Sequence, residues 1–196
     1  FSLEELDNKL IESTQKILSI KAELEDIKST WNALKEAKYP RLQLMASVST
    51  VQMEYIYHRK PDAILAAIAE TVALCRKLTD NVEFVANDAT RAEPGFMAQA
   101  VQTAIDNGAA TITICDTAGT MMPEEFSCFV KSLYAQIPAL KDVSLGISCA
   151  NTLSMADACS IAAAAQGASE IKTAAYPVNC ASLSNISRIL AHRGDS

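Results

Sequence analysis

The sequence has no apolar stretch near the roughly 18–20 residues that span a bilayer, and no basic-then-apolar leader pattern, so no membrane segment is expected. It also lacks a basic patch dense enough to follow a phosphate backbone. Lys+Arg number 17 against 23 Asp+Glu, which excludes nucleic acid as an expected partner. The six cysteines (Cys75, Cys115, Cys128, Cys149, Cys159 and Cys180) contain no Cys-x-x-Cys pair, and several sit inside apolar runs. That spacing argues against a disulfide framework or a zinc site. Buried free thiols are expected instead, in a reducing intracellular compartment such as cytoplasm or an organelle matrix. Histidine occurs twice, at His58 and His192. A nucleophilic Cys149 would need a base, and neither histidine falls near it in the expected arrangement of elements.

Glycine and proline are missing altogether from residues 1–38, which carry 14 of the 40 charged residues. Ser2 and Glu5 have the spacing of a capping box, with Phe1 placed to staple onto Leu6. Apolar residues then recur at Leu3, Leu6, Leu10, Ile17, Ile20, Leu24, Ile27, Trp31 and Leu34, a 3-4 spacing interrupted only where Ser13 takes a core slot. A long amphipathic helix is expected, whole or kinked between Ser13 and Ser19, although Ile17–Ala22 also suits a short strand. Residues 1–39 are therefore set apart as a heptad-patterned segment, and residues 40–196 as the main domain. The helix has three candidate roles: a coiled coil, an arm for a partner, or an element docked on its own domain, which Trp31 and Leu34 favour.

After Pro40 the pattern alternates. Strand-like runs at 42–47, 82–86, 110–115, 143–148 and 169–173 are separated by helical stretches near 61–77, 94–107, 123–136, 153–166 and 180–192. Pro61, Pro94 and Pro123 stand where a first helical turn accepts proline, and Gly108 and Gly167 stand where a helix exit wants a left-handed residue. Asn107-Gly108-Ala109 and Gln166-Gly167-Ala168 each lead into a strand, 59 residues apart, as two strand–helix units of about 30 residues would place them. The expectation is an α/β chain of parallel strand–helix units, a partial (β/α)8 TIM-barrel-like fold, because five or six strands do not close eight.

In such a fold, functional residues gather at the C-terminal ends of strands. Those ends read Asn87-Asp88-Ala89-Thr90-Arg91-Ala92-Glu93, Cys115-Asp116-Thr117-Ala118-Gly119, Ser148-Cys149-Ala150-Asn151-Thr152 and Ala174-Ala175-Tyr176-Pro177. Asp88, Arg91, Glu93, Asp116, Thr117 and Asn151 are the candidate ligand-binding residues. All but Asn151 have a plainer alternative. Asp88, Arg91 and Glu93 also suit an ion pair between a strand end and the next helix, and Asp116-Thr117 also suits a loop cap.

These stretches resemble the isopropylmalate synthase, homocitrate synthase and citramalate synthase family, HMG-CoA-lyase-like metal-dependent barrels. Val82-Glu83-Phe84 through Asp88-Ala89-Thr90-Arg91-Ala92-Glu93 is similar to its VEF…EDAGRSE segment. Thr111-Ile112-Thr113-Ile114-Cys115-Asp116-Thr117-Ala118-Gly119, followed by Pro123-Glu124-Glu125-Phe126, is similar to TINIPDTVG…PEEF, and Met53-Glu54-Tyr55 to the family's MEY. The likeness runs from about Arg41 to Arg193. It implies a (β/α)8 barrel that condenses an acyl-CoA with a 2-oxo acid on a divalent metal.

The departures fall on the chemistry. Where the family has His-x-His followed by Asn-Asp, this chain has Ser148-Cys149-Ala150-Asn151-Thr152. No counterpart of the DRDG segment occurs, Asn87 replaces a Glu, Gln52 a His, and Ala174-Ala175 an Asn-Gly. Asp116 and Asn151, helped by at most one amide, fall short of the oxygen and imidazole ligands that a hard divalent ion needs. Neither metal nor cofactor is expected, and no residue is assigned a catalytic role. The expectation is a non-catalytic homologue acting as a structural or regulatory subunit, with a protein partner or as a homo-oligomer. Two readings stay open beside it: an acyltransferase whose missing parts lie on another chain or on absent residues, and a sensor of 2-oxo acids or acyl-CoA.

Overall fold

The computed structural model describes residues 25–193. The expected capping box at Ser2 and the apolar positions from Leu3 to Leu24 lie outside them. Residues 25–34 form helix α1. Ile27 enters the main core, and Trp31 and Leu34 pack against it, so this part of the heptad pattern docks on its own domain.

Five strands follow: β1 (Leu42–Ser47), β2 (Val82–Asn87), β3 (Thr111–Asp116), β4 (Ser144–Cys149) and β5 (Glu170–Ile171). Helix α2 (Pro61–Arg76) joins the first pair, α3 (Pro94–Asp106) the second, α4 (Pro123–Gln136) the third and α5 (Ala156–Ala164) the fourth. The sheet is parallel throughout, and its spatial order is the sequence order. That order decides the architecture. A doubly wound sheet reverses direction at a switch point, whereas strands laid down one after another place every crossover helix on the same face, as in a barrel.

Strands β2 and β3 are buried on both faces, but membership of the core between sheet and helices follows the strand period of two. Val82, Phe84 and Ala86 on β2, Ile112 and Ile114 on β3, and Leu145 and Ile147 on β4 join one core with Ile64, Ile68, Val72, Met97, Val101, Phe126 and Val130 of the helices. Each fully buried side chain of this size contributes about 1.5–3 kcal/mol. The alternate residues face the inner side. Met45 of β1 is 63% exposed there, because among the described residues β1 pairs only with β2. A groove of roughly 510 Å³ runs beside this free edge, lined by Leu44, Met45, Ile56, Ile68 and Phe84 among others.

Pro61, Pro94 and Pro123 each open a helix, as the sequence predicts. The Gly108 and Gly167 exits share one geometry. Their φ angles are 102° and 106°, and in each the following alanine N–H returns to a carbonyl five residues back, Ala109 to Ala104 and Ala168 to Ala163.

Two boundaries differ from expectation. The strand expected at 169–173 is divided: β5 pairs with β4, and β6 (Thr173–Ala174) pairs with β7 (Ala181–Ser182). Pairing with β7 delays the last helix, α6, to Leu183–Arg193. Helix α5 likewise starts at Ala156, because Ser154 adopts φ 61° and the Asn151 side chain accepts from the Ala156 amide at 3.1 Å. No described helix is long and apolar enough to cross a membrane.

Candidate functional site

The C-terminal strand ends form the mouth of the half-barrel, and the residues singled out from the sequence have quite different fates there. Asp88 leaves β2 in the left-handed region, φ 59°, and is 0% exposed. Its carboxylate accepts from Arg91 Nε at 2.8 Å and Arg91 Nη2 at 2.7 Å, and from Ser49 Oγ at 2.5 Å. Such a fork is strong and directional. The same contacts raise the Arg91 guanidinium above its ordinary value, through hydrogen bonds to Asp88 first and its charge second. Ser49, which the sequence reading did not single out, comes from the loop after β1, where it bridges in antiparallel fashion to Ala92.

Glu93 turns away from the others. It caps α3, accepting from the Gly95 amide at 3.1 Å and the Phe96 amide at 2.7 Å. These donors, Phe96 first, hold its carboxyl below the usual range.

Asp116 ends β3 at 1% exposure, with Oδ1 accepting from Thr90 Oγ1 at 2.8 Å and from the Gly119 amide at 3.2 Å. Gly119 is a required glycine: its φ is 63°, and a Cβ there would lie 2.5 Å from the Ala150 carbonyl oxygen. Thr117 Oγ1 accepts from the Asp88 amide at 3.0 Å and donates to Asn87 Oδ1 at 2.8 Å. Asn87 Nδ2 donates in turn to Gln52 Oε1 at 2.9 Å, an acceptor shared with Ser47 Oγ at 2.7 Å. Ser47, Gln52, Asn87 and Thr117 thus form one neutral chain across the ends of the first three strands. Strand parity marks Ser47 and Asn87 as inner-face residues, and that was the available signal for the part of this chain the sequence reading passed over.

Asn151 serves α5. Beyond its bond to the Ala156 amide, its own N–H donates to Asn179 Oδ1 at 2.9 Å. Asp88, Arg91 and Thr117 are therefore drawn into one network that continues into Asn87; Asp116 bonds beside it to Thr90 and Gly119, whereas Glu93 and Asn151 serve helix starts.

A divalent ion of the kind the resemblance implies does not fit these residues. Among the described residues, no group of three His, Cys, Asp or Glu is arranged to hold a metal. The Asn87 and Asn151 oxygens already accept hydrogen bonds, both oxygens of Asp88 are committed to protein donors, and Oδ1 of Asp116 holds Thr90 and Gly119. Cys149 offers no nucleophile either. It is buried, and burial pushes its thiol up to about 12. Cys115 is pushed up to about 11 by the same cause. Thiols so high are inert at neutral pH.

The HMGL-like family matches residues 6–176. The 2-isopropylmalate synthase of Aquifex aeolicus is 36% identical over 147 residues, which are 75% of this chain and 28% of that protein. That of Pelotomaculum thermopropionicum is 33% identical over 154 residues, 79% of this chain and 30% of the relative. The chain thus spans less than a third of these relatives' length. Among solved structures, HMG-CoA lyase from Brucella melitensis superposes with a TM-score of 0.68 at 13% identity, covering 84% of this chain and 62% of the lyase. The Pseudomonas aeruginosa HMG-CoA lyase gives 0.64 at 12%, covering 78% and 55%. The two structures carry the partial barrel fold, the synthases carry the sequence likeness, and together with the family match they assign the chain: it belongs to the HMGL-like family.

Proposed function

We propose that this chain is a non-catalytic member of the HMGL-like family that serves as a structural or regulatory subunit, alongside a protein partner or further copies of itself. One observation carries the reading. At the mouth, where a condensing enzyme needs free charged ligands, Asp88 accepts protein hydrogen bonds on both oxygens and Asp116 accepts two on Oδ1, and the rest of the floor is the neutral chain Ser47–Gln52–Asn87–Thr117. Without a metal, nothing at these strand ends polarises a 2-oxo acid or stabilises the alkoxide that forms in condensation.

The test has two arms. Purified chain is incubated with acetyl-CoA, Mg²⁺ or Mn²⁺, and in turn 2-oxoisovalerate and 2-oxoglutarate, and thiol release is followed. No release above the protein-free rate is expected, and metal-dependent release with either acid overturns the proposal. Calorimetric titration with the same compounds examines the sensor reading, for which heat of binding without turnover is the signature. In the second arm the chain is isolated from its native source under mild conditions, where a larger assembly is expected and a lone monomer counts against the subunit role.

A second reading rests on coverage. The chain spans only 28–30% of the synthases it resembles, so the catalytic parts would lie on residues or chains beyond this one. It predicts that thiol release appears when a partner carrying a DRDG segment and a His-x-His pair is added.

A further inference from the structure

The N-terminal ends of the strands hold a cluster of charges that the mouth does not use. Arg41, just before β1, places Nη1 2.7 Å and Nη2 2.9 Å from the two carboxylate oxygens of Glu170 on β5, 129 residues away. Arg41 Nη1 also lies 3.4 Å from Glu83 Oε2 on β2, and Nε donates to Asn81 Oδ1 at 2.9 Å. Lys172 Nζ stands 2.7 Å from Glu83 Oε1 and 3.0 Å from Glu170 Oε2. Thr113 of β3 donates to Glu83 Oε1 at 2.5 Å. On β4 the corresponding residue is Gly146, where a Cβ would come 2.3 Å from Thr113 Oγ1 and 3.5 Å from the Lys172 stem. β2, β3 and β5 therefore contribute side chains, β4 contributes by having none, and β1 takes part through the residue just before it.

The geometry of this cluster constrains the sheet. In a flat sheet, β1 and β5 would be four strand spacings apart, about 19 Å, farther than an arginine and a glutamate can bridge. The Arg41–Glu170 fork can close only if the sheet is strongly curled. We infer that Arg41 is a clasp: by gripping Glu170 it joins the two edge strands of the five-stranded sheet and holds that sheet at barrel curvature. Glu83 is the hinge of the clasp, shared by both cations, and the two carboxylates balance Arg41 and Lys172 so that the inner face carries no net charge at this level. The fork matters more than the charge, since its two parallel hydrogen bonds fix direction as well as distance.

Hydrogen exchange of the full chain reads this directly, because a clasp protects the ends it joins while an ordinary stabilising pair protects every strand alike. In Arg41→Met, amides of 170–174 and of Leu42 should exchange at least tenfold faster, with those of β2 and β3 unchanged. Arg41→Lys keeps the charge and loses the fork, and should fall between. If Arg41→Met does not fold, Glu170→Gln supplies the same comparison with less change in shape. Acceleration confined to the two sheet edges supports the clasp. Unchanged exchange at 170–174, or equal acceleration in all strands, overturns it, as does full protection in Arg41→Lys.

Discussion

Replacing Gly146 by alanine tests the tight inner packing of the half-barrel. The added Cβ would stand 2.3 Å from Thr113 Oγ1, well inside contact, while its other close neighbours, Thr113 Cβ at 3.4 Å and Lys172 Cε at 3.5 Å, are tolerable. Two responses are open. If the strands stay in register, Thr113 must rotate and lose its hydrogen bond to the buried Glu83 carboxylate, and bonds to charged groups contribute about 1.5–3 kcal/mol. If Thr113 stays, β4 must shift, and such overpacking costs about 1–3 kcal/mol. Both routes predict a loss near 2 kcal/mol in urea unfolding followed by far-ultraviolet circular dichroism, with the slope against urea unchanged.

The decisive measurement is a double-mutant cycle. In a Thr113→Ala background the offending oxygen is gone, so Gly146→Ala should cost about 1 kcal/mol or less, giving a coupling of at least about 1 kcal/mol. A single-mutant cost below about 0.5 kcal/mol, or strict additivity, refutes the reasoning.

Three further outcomes follow from the site and its supports. Asp88→Ala removes the acceptor of three hydrogen bonds from a left-handed position; because Arg91 is half-exposed and rehydrates, the loss is held to about 1–2 kcal/mol, which thermal unfolding checks. Glu170 is held down to about 2, first by the Arg41 hydrogen bonds and then by those from Lys172, with burial opposing. Its folded value lies below its unfolded one, so its contribution is present above the ordinary carboxylate range and lost as pH falls from about 4.5 towards 2. The urea midpoint should drop across that window, and Glu170→Gln should flatten the drop. Among the thiols, exposed Cys128 should react with iodoacetamide at pH 8, whereas Cys115 and Cys149 should react only on global unfolding; fast labelling of Cys149 in the native chain would contradict its assigned burial.

Much of the fold was legible because its signals are local. Prolines marking helix starts, glycines marking exits and strand-like runs rich in apolar residues need no knowledge of distant parts of the chain. Strand β1 and helix α4 fall at their expected limits for that reason. The division of β5 and β6 was hidden, because what separates them is a change of pairing partner, from β4 to β7, and partners are not written in a strand's own residues. At the mouth, residue types identified the loops but not their use. Asp88 has the same sequence neighbours whether it grips a ligand or Arg91. Only the arrival of Ser49 from another strand end shows where its oxygens are spent. Glu83 and Lys172 were overlooked as a pair because their meeting depends on the curl of the sheet.

The free side of β1 has a consequence for how such a chain is kept in a cell. Among the described residues, one flank of Leu42–Ser47 presents unpaired backbone groups beside the exposed Met45 side chain and an apolar groove, a surface that recruits other strands when nothing covers it. If nothing else covers that flank, copies made in excess of their covering segment or partner would be drawn into aggregates or removed by proteolysis. The steady-state amount of the chain would then be set less by its own synthesis than by the supply of whatever occupies that flank, a dosage coupling measurable by pulse-chase with the covering component raised or depleted.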